Sequence, residues 1–158
     1  MKLLPVASAA LILLALAGCS ADPEAAPTPS APAGASDGAC SGAEVTVQVD
    51  FGALGADRIR ECAPAGAAAD ALDAVGISTE GTADYGDQVV CRVNDQPAPE
   101  VESCATLPAD GYWALWVRDA PDGEWAYAEE GVATLQLEGG QSLGLVYTRG
   151  TDSTPPTD

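Results

Sequence analysis

The sequence predicts one small α+β domain, in which a single helix packs on a mostly antiparallel sheet and two disulfides join the chain. Three observations lead to this fold class. Several runs alternate apolar and polar residues with the period of a half-buried strand. Only one run has the apolar spacing of an amphipathic helix, and four cysteines lie among these runs. Strands with one helix among them are typical of an α+β domain.

The first predicted element is a β-hairpin. Glu44–Asp50 places Val45, Val47 and Val49 on one face of a strand, because successive side chains point to opposite sides. Two glycines then turn the chain, and residues 57–62 alternate again as the returning strand. One face of the hairpin is therefore expected to be buried.

The predicted helix spans residues 67–75. Its apolar positions Ala68, Leu72 and Val75 have the spacing i, i+4 and i+7, so they form one stripe. Gly76 follows the last helical residue, where a glycine commonly ends a helix. We expect the stripe to pack on the sheet.

The second half of the domain is predicted to consist of strands. Turn residues separate them at 94–97, at 120–123 and at Gly139-Gly140. The strongest strand signal is Tyr112–Arg118, which is rich in aromatic and branched residues. The predicted strands are residues 88–93, 112–118, 124–128, 132–137 and 141–148.

The charge balance excludes several functions. The chain has 24 Asp and Glu against 6 Lys and Arg, a net charge of -18, and no His. A polyanion repels phosphate backbones and anionic headgroups, so we expect no nucleic-acid partner and no electrostatic membrane docking. Without His there is no Ser-His-Asp triad and no His-ligated zinc. We expect no enzymatic activity, no metal site and no resident cofactor.

The N-terminus has the features of an export signal. Lys2 precedes an apolar run that is short for a membrane span of roughly 20 residues. The run ends in Leu16-Ala17-Gly18-Cys19, which resembles the lipobox of bacterial lipoproteins. That resemblance implies cleavage after residue 18 and a diacylglycerol on Cys19. The protein would then be anchored by lipid at the extracytoplasmic face of the cell membrane. An ordinary secretory signal followed by a free Cys is the alternative.

Composition divides the rest of the chain into three parts. Residues 19–39 hold the lipidated Cys and an Ala/Pro-rich segment with no large apolar residue, so we expect a disordered tether. Residues 40–149 form the folded domain. Residues 150–158 are polar with two prolines, and we expect them to be a disordered tail.

Four cysteines remain after Cys19, and an even number in an exported domain predicts two disulfides. Three pairings are open in principle. We favour Cys40–Cys62 and Cys91–Cys104, because each pair brackets a local excursion of the chain. The alternative is a four-thiolate metal site, against which the absence of CxxC spacing argues.

Aromatic side chains near the strongest strand are candidates for ligand binding. Alternation places Trp113, Leu115 and Val117 on one face and Tyr112, Trp116 and Arg118 on the other. If the return strand brings its aromatics beside the second set, an aromatic platform with one cation results. The alternative is that both faces are covered, for example by the loop 94–108, and that all aromatics belong to the core. The candidate ligand-binding residues are Tyr112, Trp116, Arg118, Trp125 and Tyr127.

Several segments of the domain resemble a known family. They are ALDAVG at 71–76, VVCRVN at 89–94, YWALW at 112–116, WAY at 125–127 and GLVY at 144–147. In this order they resemble the transcobalamin-like C-terminal domain, a small β-grasp-like module of intrinsic factor, transcobalamin and many bacterial surface proteins. The resemblance covers residues 44–148, and its most specific part is the YWALW strand.

The resemblance implies binding and not turnover. In the vitamin carriers this domain closes over cobalamin, and a large helical barrel supplies the other half of the site. This chain has no segment for such a barrel and no His to bond cobalt. We therefore expect a surface-anchored, non-catalytic module that assists uptake by binding a small ligand, for which a corrinoid is one candidate. Its protein partner would be a transporter or another surface protein. The alternative is a structural or adhesive envelope module with no small-molecule ligand.

Overall fold

The computed structural model describes residues 40–157. They form an α+β domain with one α-helix, α1, at Ala68–Ala74 and a 3-10 turn at Gly52–Leu54. The strands of this part of the chain are β1 Glu44–Asp50, β2 Ile59–Pro64, β3 Gly66–Ala67, β4 Thr79–Thr82, β5 Gly86–Val93, β6 Tyr112–Arg118, β7 Ala126–Tyr127, β8 Gln136–Leu137 and β9 Ser142–Thr148. The prediction of a small α+β domain with one helix and a mainly antiparallel sheet is confirmed.

The main sheet has five strands in the order β2-β1-β9-β6-β7. The predicted hairpin forms, with β1 and β2 antiparallel and Val47 opposite Glu61. The last strand, β9, lies in the centre, parallel to β1 and antiparallel to β6. One parallel pair therefore joins the N-terminal hairpin to the C-terminal strands.

The core lies against one face of this sheet. Val45, Val47 and Val49 of β1 are fully buried there, as their alternation predicts. Leu143 and Leu145 of β9 have the same environment. Trp113 of β6 contacts the rings of Phe51 and Tyr147 edge-on, each with ring centroids 5.4 Å apart. We call this the inner face of the sheet.

The helix packs on the inner face. Ala68, Ala71 and Leu72 are buried in the same core cluster as the valines of β1, and Val75 packs against that cluster. Gly76 has a φ of 74°, and its N–H donates to the carbonyl of Asp73. The N–H of Ile77 donates to the carbonyl of Leu72, which completes a Schellman-type helix end. The predicted role of Gly76 is confirmed.

A second layer of structure surrounds one buried arginine. β4 and β5 form a separate two-stranded sheet, from which the side chain of Arg92 projects. Its Nε donates to the carbonyl of Pro97 at 2.8 Å, its Nη2 donates to the carbonyl of Glu102 at 2.6 Å, and Glu80 pairs with its Nη1. Arg92 thereby holds the loop between β5 and β6 against the domain.

Two disulfides have the predicted pairing. Cys40 bonds to Cys62, and Cys91 bonds to Cys104. The first ties the residues before β1 to β2, and the second ties β5 to the following loop. The prediction of two structural disulfides is confirmed, and the alternative of a four-thiolate metal site is wrong.

The returning strand of the hairpin lies at Ile59–Pro64 and not at the predicted 57–62, and two other predicted strands are much shorter in the structure. Within residues 124–128 only Ala126–Tyr127 forms a strand, and within residues 132–137 only Gln136–Leu137 does. β8 does not complete the main sheet beside β9, because it pairs with β3 in a sheet of its own. Val132 is fully buried in the core without being in a strand, so its apolar character reflects burial and not strand alternation.

Within residues 40–157, no helix has the length and apolar character that a membrane span needs. The predicted signal peptide, Cys19 and the whole of the predicted tether lie outside the described residues.

Candidate functional site

The side chains opposite the core form a second packed surface, which we call the outer face. It carries Ala114, Trp116 and Val146 as buried residues, with Tyr112 and Trp125 packed against them. Trp113, Leu115 and Val117 belong to the inner cluster instead. The predicted division of β6 between two faces is therefore confirmed by burial.

The five candidate ligand-binding residues meet on the outer face. Trp116 and Tyr127 stack with ring centroids 4.0 Å apart. The guanidinium of Arg118 lies over the ring of Trp125, 4.6 Å from its centroid, which is a cation–π geometry. Tyr112 packs against the same cluster. Trp116 and Arg118 are only 6% and 5% exposed, whereas Tyr127 is 50% exposed.

One row of residues crosses the outer face from strand to strand. Gln48 of β1 is opposite Gly144 of β9, Gly144 is opposite Trp116 of β6, and Trp116 is opposite Tyr127 of β7. Because Gly144 has no side chain, the row has a gap in its middle. A side chain placed at that position would overlap the ring of Pro156, and it would come within 3.3 Å of the Trp125 ring.

Residues 151–157, which we call the C-terminal segment, lie across the outer face. Trp116 Nε1 donates to Ser153 Oγ at 3.4 Å, and Thr148 Oγ1 donates to the same oxygen at 2.7 Å. Pro156 is buried, although the segment contains no helix or strand. Composition predicts a disordered tail here. The segment instead contacts the outer face, and composition alone gives no sign of these contacts.

The loop between β5 and β6 covers the other side of the sheet. The carbonyl of Gln96 accepts a hydrogen bond from Trp113 Nε1 at 3.2 Å. The suggestion that the loop 94–108 covers aromatic residues therefore applies to Trp113 on the inner face. On the outer face the covering residues belong to the C-terminal segment.

A cleft opens at the edge of β6. β7 pairs only with Trp116 and Val117, so within residues 40–157 the first half of β6 has no strand partner on that side. The cleft there has a volume of about 330 Å³. Its apolar walls are Val89, Val90, Tyr112, Ala114 and Tyr127, and Glu129 and Glu130 line it as well.

A close backbone contact closes one end of the cleft. Gly131 lies against the backbone of Gln88, and a Cβ at Gly131 would come within 2.5 Å of the Gln88 carbonyl oxygen. Only glycine allows this approach. The segment after β7 is thereby held against β5, and the cleft lies between them.

Tyr112 connects the cleft to the outer face and has a perturbed ionisation. Burial raises the pKa of Tyr112 above its ordinary value of 10.0. The hydrogen bond with Tyr127 and the negative charge of Asp152 raise this pKa further. Tyr112 therefore stays neutral at physiological pH and serves as a hydrogen-bond donor. Its hydroxyl donates to the carbonyl of Thr151 at 3.5 Å.

The described residues contain no group of three or more Cys, Asp or Glu side chains placed to hold a metal ion. What the arrangement offers is aromatic surface, apolar walls and a few donors, which suit binding of a flat or extended molecule. Gly144, Gln48 and Pro156 belong to the site and were not predicted from the sequence. A glycine inside a strand was the available signal, since it often marks a close approach.

No protein-family model matches this chain, and a search of curated proteins found no match. The transcobalamin-like domain therefore stays a resemblance carried by the segments quoted above.

Proposed function

We propose that this protein is a lipid-anchored, non-catalytic binding module that holds a small ligand in the cleft beside β6. The cleft is the observation that carries the proposal. Its volume of about 330 Å³ is at the lower end of the range of ligand pockets, roughly 300–1,000 Å³. Its walls combine apolar side chains with the two tyrosines, which is the usual lining of such a pocket.

The strand order supports a β-grasp-like assignment of the domain. A hairpin, a helix and a later pair of strands surround one core, with the first and last strands parallel at the centre of the sheet. This order agrees with what the transcobalamin-like resemblance implies. This agreement supports a binding role for the protein, because the transcobalamin-like domain binds a ligand without catalysing a reaction on it.

The chemistry of the cleft limits the ligand. Glu129 and Glu130 are exposed, and no basic residue lines the cleft among the described residues. A neutral or cationic ligand with a flat apolar part therefore fits better than an anion. A corrinoid macrocycle is much larger than the cleft, so only one edge of it would enter between Tyr112 and Tyr127. The rest would need a second protein, such as the transporter or surface protein expected as partner.

Calorimetric titration of the purified protein with cobalamin and with a truncated corrinoid tests the proposal. We expect saturable binding in the micromolar range or tighter. Ala128→Leu should reduce it at least tenfold, because Ala128 lines the cleft. Ala69→Leu is the matched control, since Ala69 is exposed on α1, and it should bind as the parent does.

A flat titration with both compounds would reject the corrinoid. If broader screening of neutral and cationic aromatic compounds also gave no binding that Ala128→Leu weakens, the cleft proposal would be wrong. The structural or adhesive envelope module would then be the better description. Lipid anchoring has a separate test, which is the mass of the protein purified from membranes and the effect of Cys19→Ser on that mass.

A further inference from the structure

We propose that the outer face is a recognition groove for a proline-rich, extended peptide of a partner protein. The chain's own C-terminal segment occupies this groove and must be displaced by the partner. This site is separate from the cleft beside β6, although Tyr112 and Tyr127 border both. The inference does not depend on the proposed small ligand.

The first argument is the shape of the groove. The gap at Gly144 lies between Gln48 and Trp116, and the ring of Pro156 fills it. The ring of Trp125 borders the same gap. Aromatic walls around a proline ring are the recurring way in which proteins recognise proline-rich peptides. A glycine in the interior of a central strand weakens the strand, so its presence is best explained by a ring that must fit there.

The second argument is the spacing of the contacts. Ser153 and Pro156 contact the outer face, while Thr154 and Pro155 between them are exposed. A polyproline helix has three residues per turn, so residues i and i+3 lie on the same side. The contacts of Ser153 and Pro156 have this spacing of i and i+3, which is the spacing expected of a bound proline-rich ligand.

The third argument is the hydrogen bonding. A polyproline helix has no internal hydrogen bonds, so its carbonyls are available to donors of a receptor. Tyr112 donates to the carbonyl of Thr151, and Arg58 Nη1 donates to the carbonyl of Thr157 at 3.2 Å. Arg58 Nη1 also donates to Thr157 Oγ1, and Trp116 and Thr148 donate to Ser153 Oγ. Donors of the groove thus contact both backbone and side-chain oxygens of the segment.

Two buried donors on the outer face favour a partner peptide over the chain's own segment. Gln48 Nε2 and Trp125 Nε1 are buried and have no hydrogen-bond partner among the described residues. A buried donor without an acceptor is destabilising. Both residues border the gap at Gly144, where a bound peptide has further carbonyls to offer. A partner peptide that supplies these acceptors gains interactions that the C-terminal segment lacks.

Tethering allows a weakly complementary segment to occupy the groove. Ser153 follows the end of β9 after only a few residues, so the segment is held near the groove at an effective concentration of about a millimolar. A partner peptide competes against that concentration. The C-terminal segment thereby sets a threshold for binding and covers the aromatic residues until a partner is present.

The test is a titration followed by the indole N–H resonances of the tryptophans. The proteins are the purified chain and a variant that ends at Gly150. The probe is a synthetic peptide with three repeats of Ser-Thr-Pro-Pro, and its matched control replaces each second proline by alanine. We expect saturable binding to the truncated protein, at least tenfold weaker binding to the complete chain, and at least tenfold weaker binding of the control peptide.

The resonances contain an internal control. Truncation should move the Trp116 signal, because its bond to Ser153 is lost, and probe binding should move the Trp125 signal. The Trp113 signal should not move, since the Nε1–H of Trp113 donates to the carbonyl of Gln96 on the inner face. A probe that moves all three signals equally, or none of them, would contradict the proposal.

Substitutions at two glycines complete the design. Gly144→Ala in the truncated protein fills the gap, so it should abolish probe binding. Gly42→Ala is the matched control, because a Cβ at Gly42 meets no other atom, and it should bind as the truncated parent does. Should Gly144→Ala not fold, Trp116→Phe in the truncated protein serves instead, with an expected loss of at least fivefold. Retained binding in the variant that folds would overturn the proposal.

Discussion

Removal of the Cys91–Cys104 disulfide is expected to lower the free energy of unfolding by about 3 kcal/mol. The bond spans 13 residues of sequence. In the chain-entropy treatment, closing a loop of this length removes about 9.7 cal/mol/K from the unfolded chain, which is about 2.9 kcal/mol at 25 °C. The Cys40–Cys62 bond spans 22 residues and gives about 3.4 kcal/mol by the same relation. The two losses should therefore be similar, with the second slightly larger.

The conformation of Cys104 adds a second, independent expectation. Its φ is 56°, in the left-handed region that side chains disfavour by roughly 1–2 kcal/mol. Cys91→Ala/Cys104→Ala keeps that strain, whereas Cys91→Ala/Cys104→Gly removes it. The glycine variant should be more stable than the alanine variant by about 1 kcal/mol.

Urea unfolding of the oxidised protein and of both double variants measures these differences. The dependence on urea should steepen in the variants, because the unfolded chain becomes less compact without the crosslink. A loss below about 1 kcal/mol for the alanine variant would refute the loop-entropy reasoning, since that is about a third of the loss calculated above. A glycine variant no more stable than the alanine variant would refute the assigned backbone conformation.

Three further predictions concern single side chains. Arg92→Met should lower the free energy of unfolding by about 2–4 kcal/mol in urea, because two loop carbonyls lose their buried donor. Leu72→Ala should lower it by about 2–5 kcal/mol in the same assay, while Asp73→Ala on the exposed side of α1 stays within about 0.5 kcal/mol. The raised pKa of Tyr112 means that the folded state retains the phenol proton longer than the unfolded state. The contribution of this proton to the free energy of unfolding is therefore complete below pH 10.0, and it decreases as the pH rises above that value. Tyr112→Phe should remove this part of the loss of stability at alkaline pH.

Local sequence patterns were sufficient to predict those strands in which one face is apolar and the other is more polar. β1 and β6 have the bounds that alternation predicts, because one side of each carries valine, leucine or tryptophan for the core. The helix end at Gly76 and both disulfides were also predictable, since each depends on residues that are near in sequence. These signals do not require knowledge of the strand order.

The position of β9 was not accessible to the same reasoning. All seven of its residues are buried, so both of its faces are covered and no contrast indicates which side meets the core. Its pairing with β1 joins residues nearly a hundred positions apart, such as Val47 and Leu143. Residues 132–135 supply apolar contacts without strand geometry, and periodicity alone cannot distinguish that case from a strand.

The candidate site was predictable in its aromatic members and not in what covers them. Alternation places Tyr112, Trp116 and Arg118 together, and the turn at 120–123 returns Trp125 and Tyr127 beside them. The C-terminal segment covers them by packing Pro156 against Gly144. Because Gly144 has no side chain, the hydropathy pattern contains no signal for this contact. Alternation therefore placed these side chains together and left open whether they are covered, and composition predicted that the covering segment would be disordered.

The composition of the outer face differs from that of the apolar inner face. A sheet face that only excludes water is most stable with apolar side chains, as the inner face has. The outer face instead buries Gln48, Ser142 and Thr148, which are polar, beside its aromatic residues. Buried polar groups are costly unless a partner meets them, and Thr148 has one in Ser153 while Gln48 Nε2 has none among the described residues. A surface that keeps such donors is better suited to exchange one covering peptide for another than to stay permanently closed.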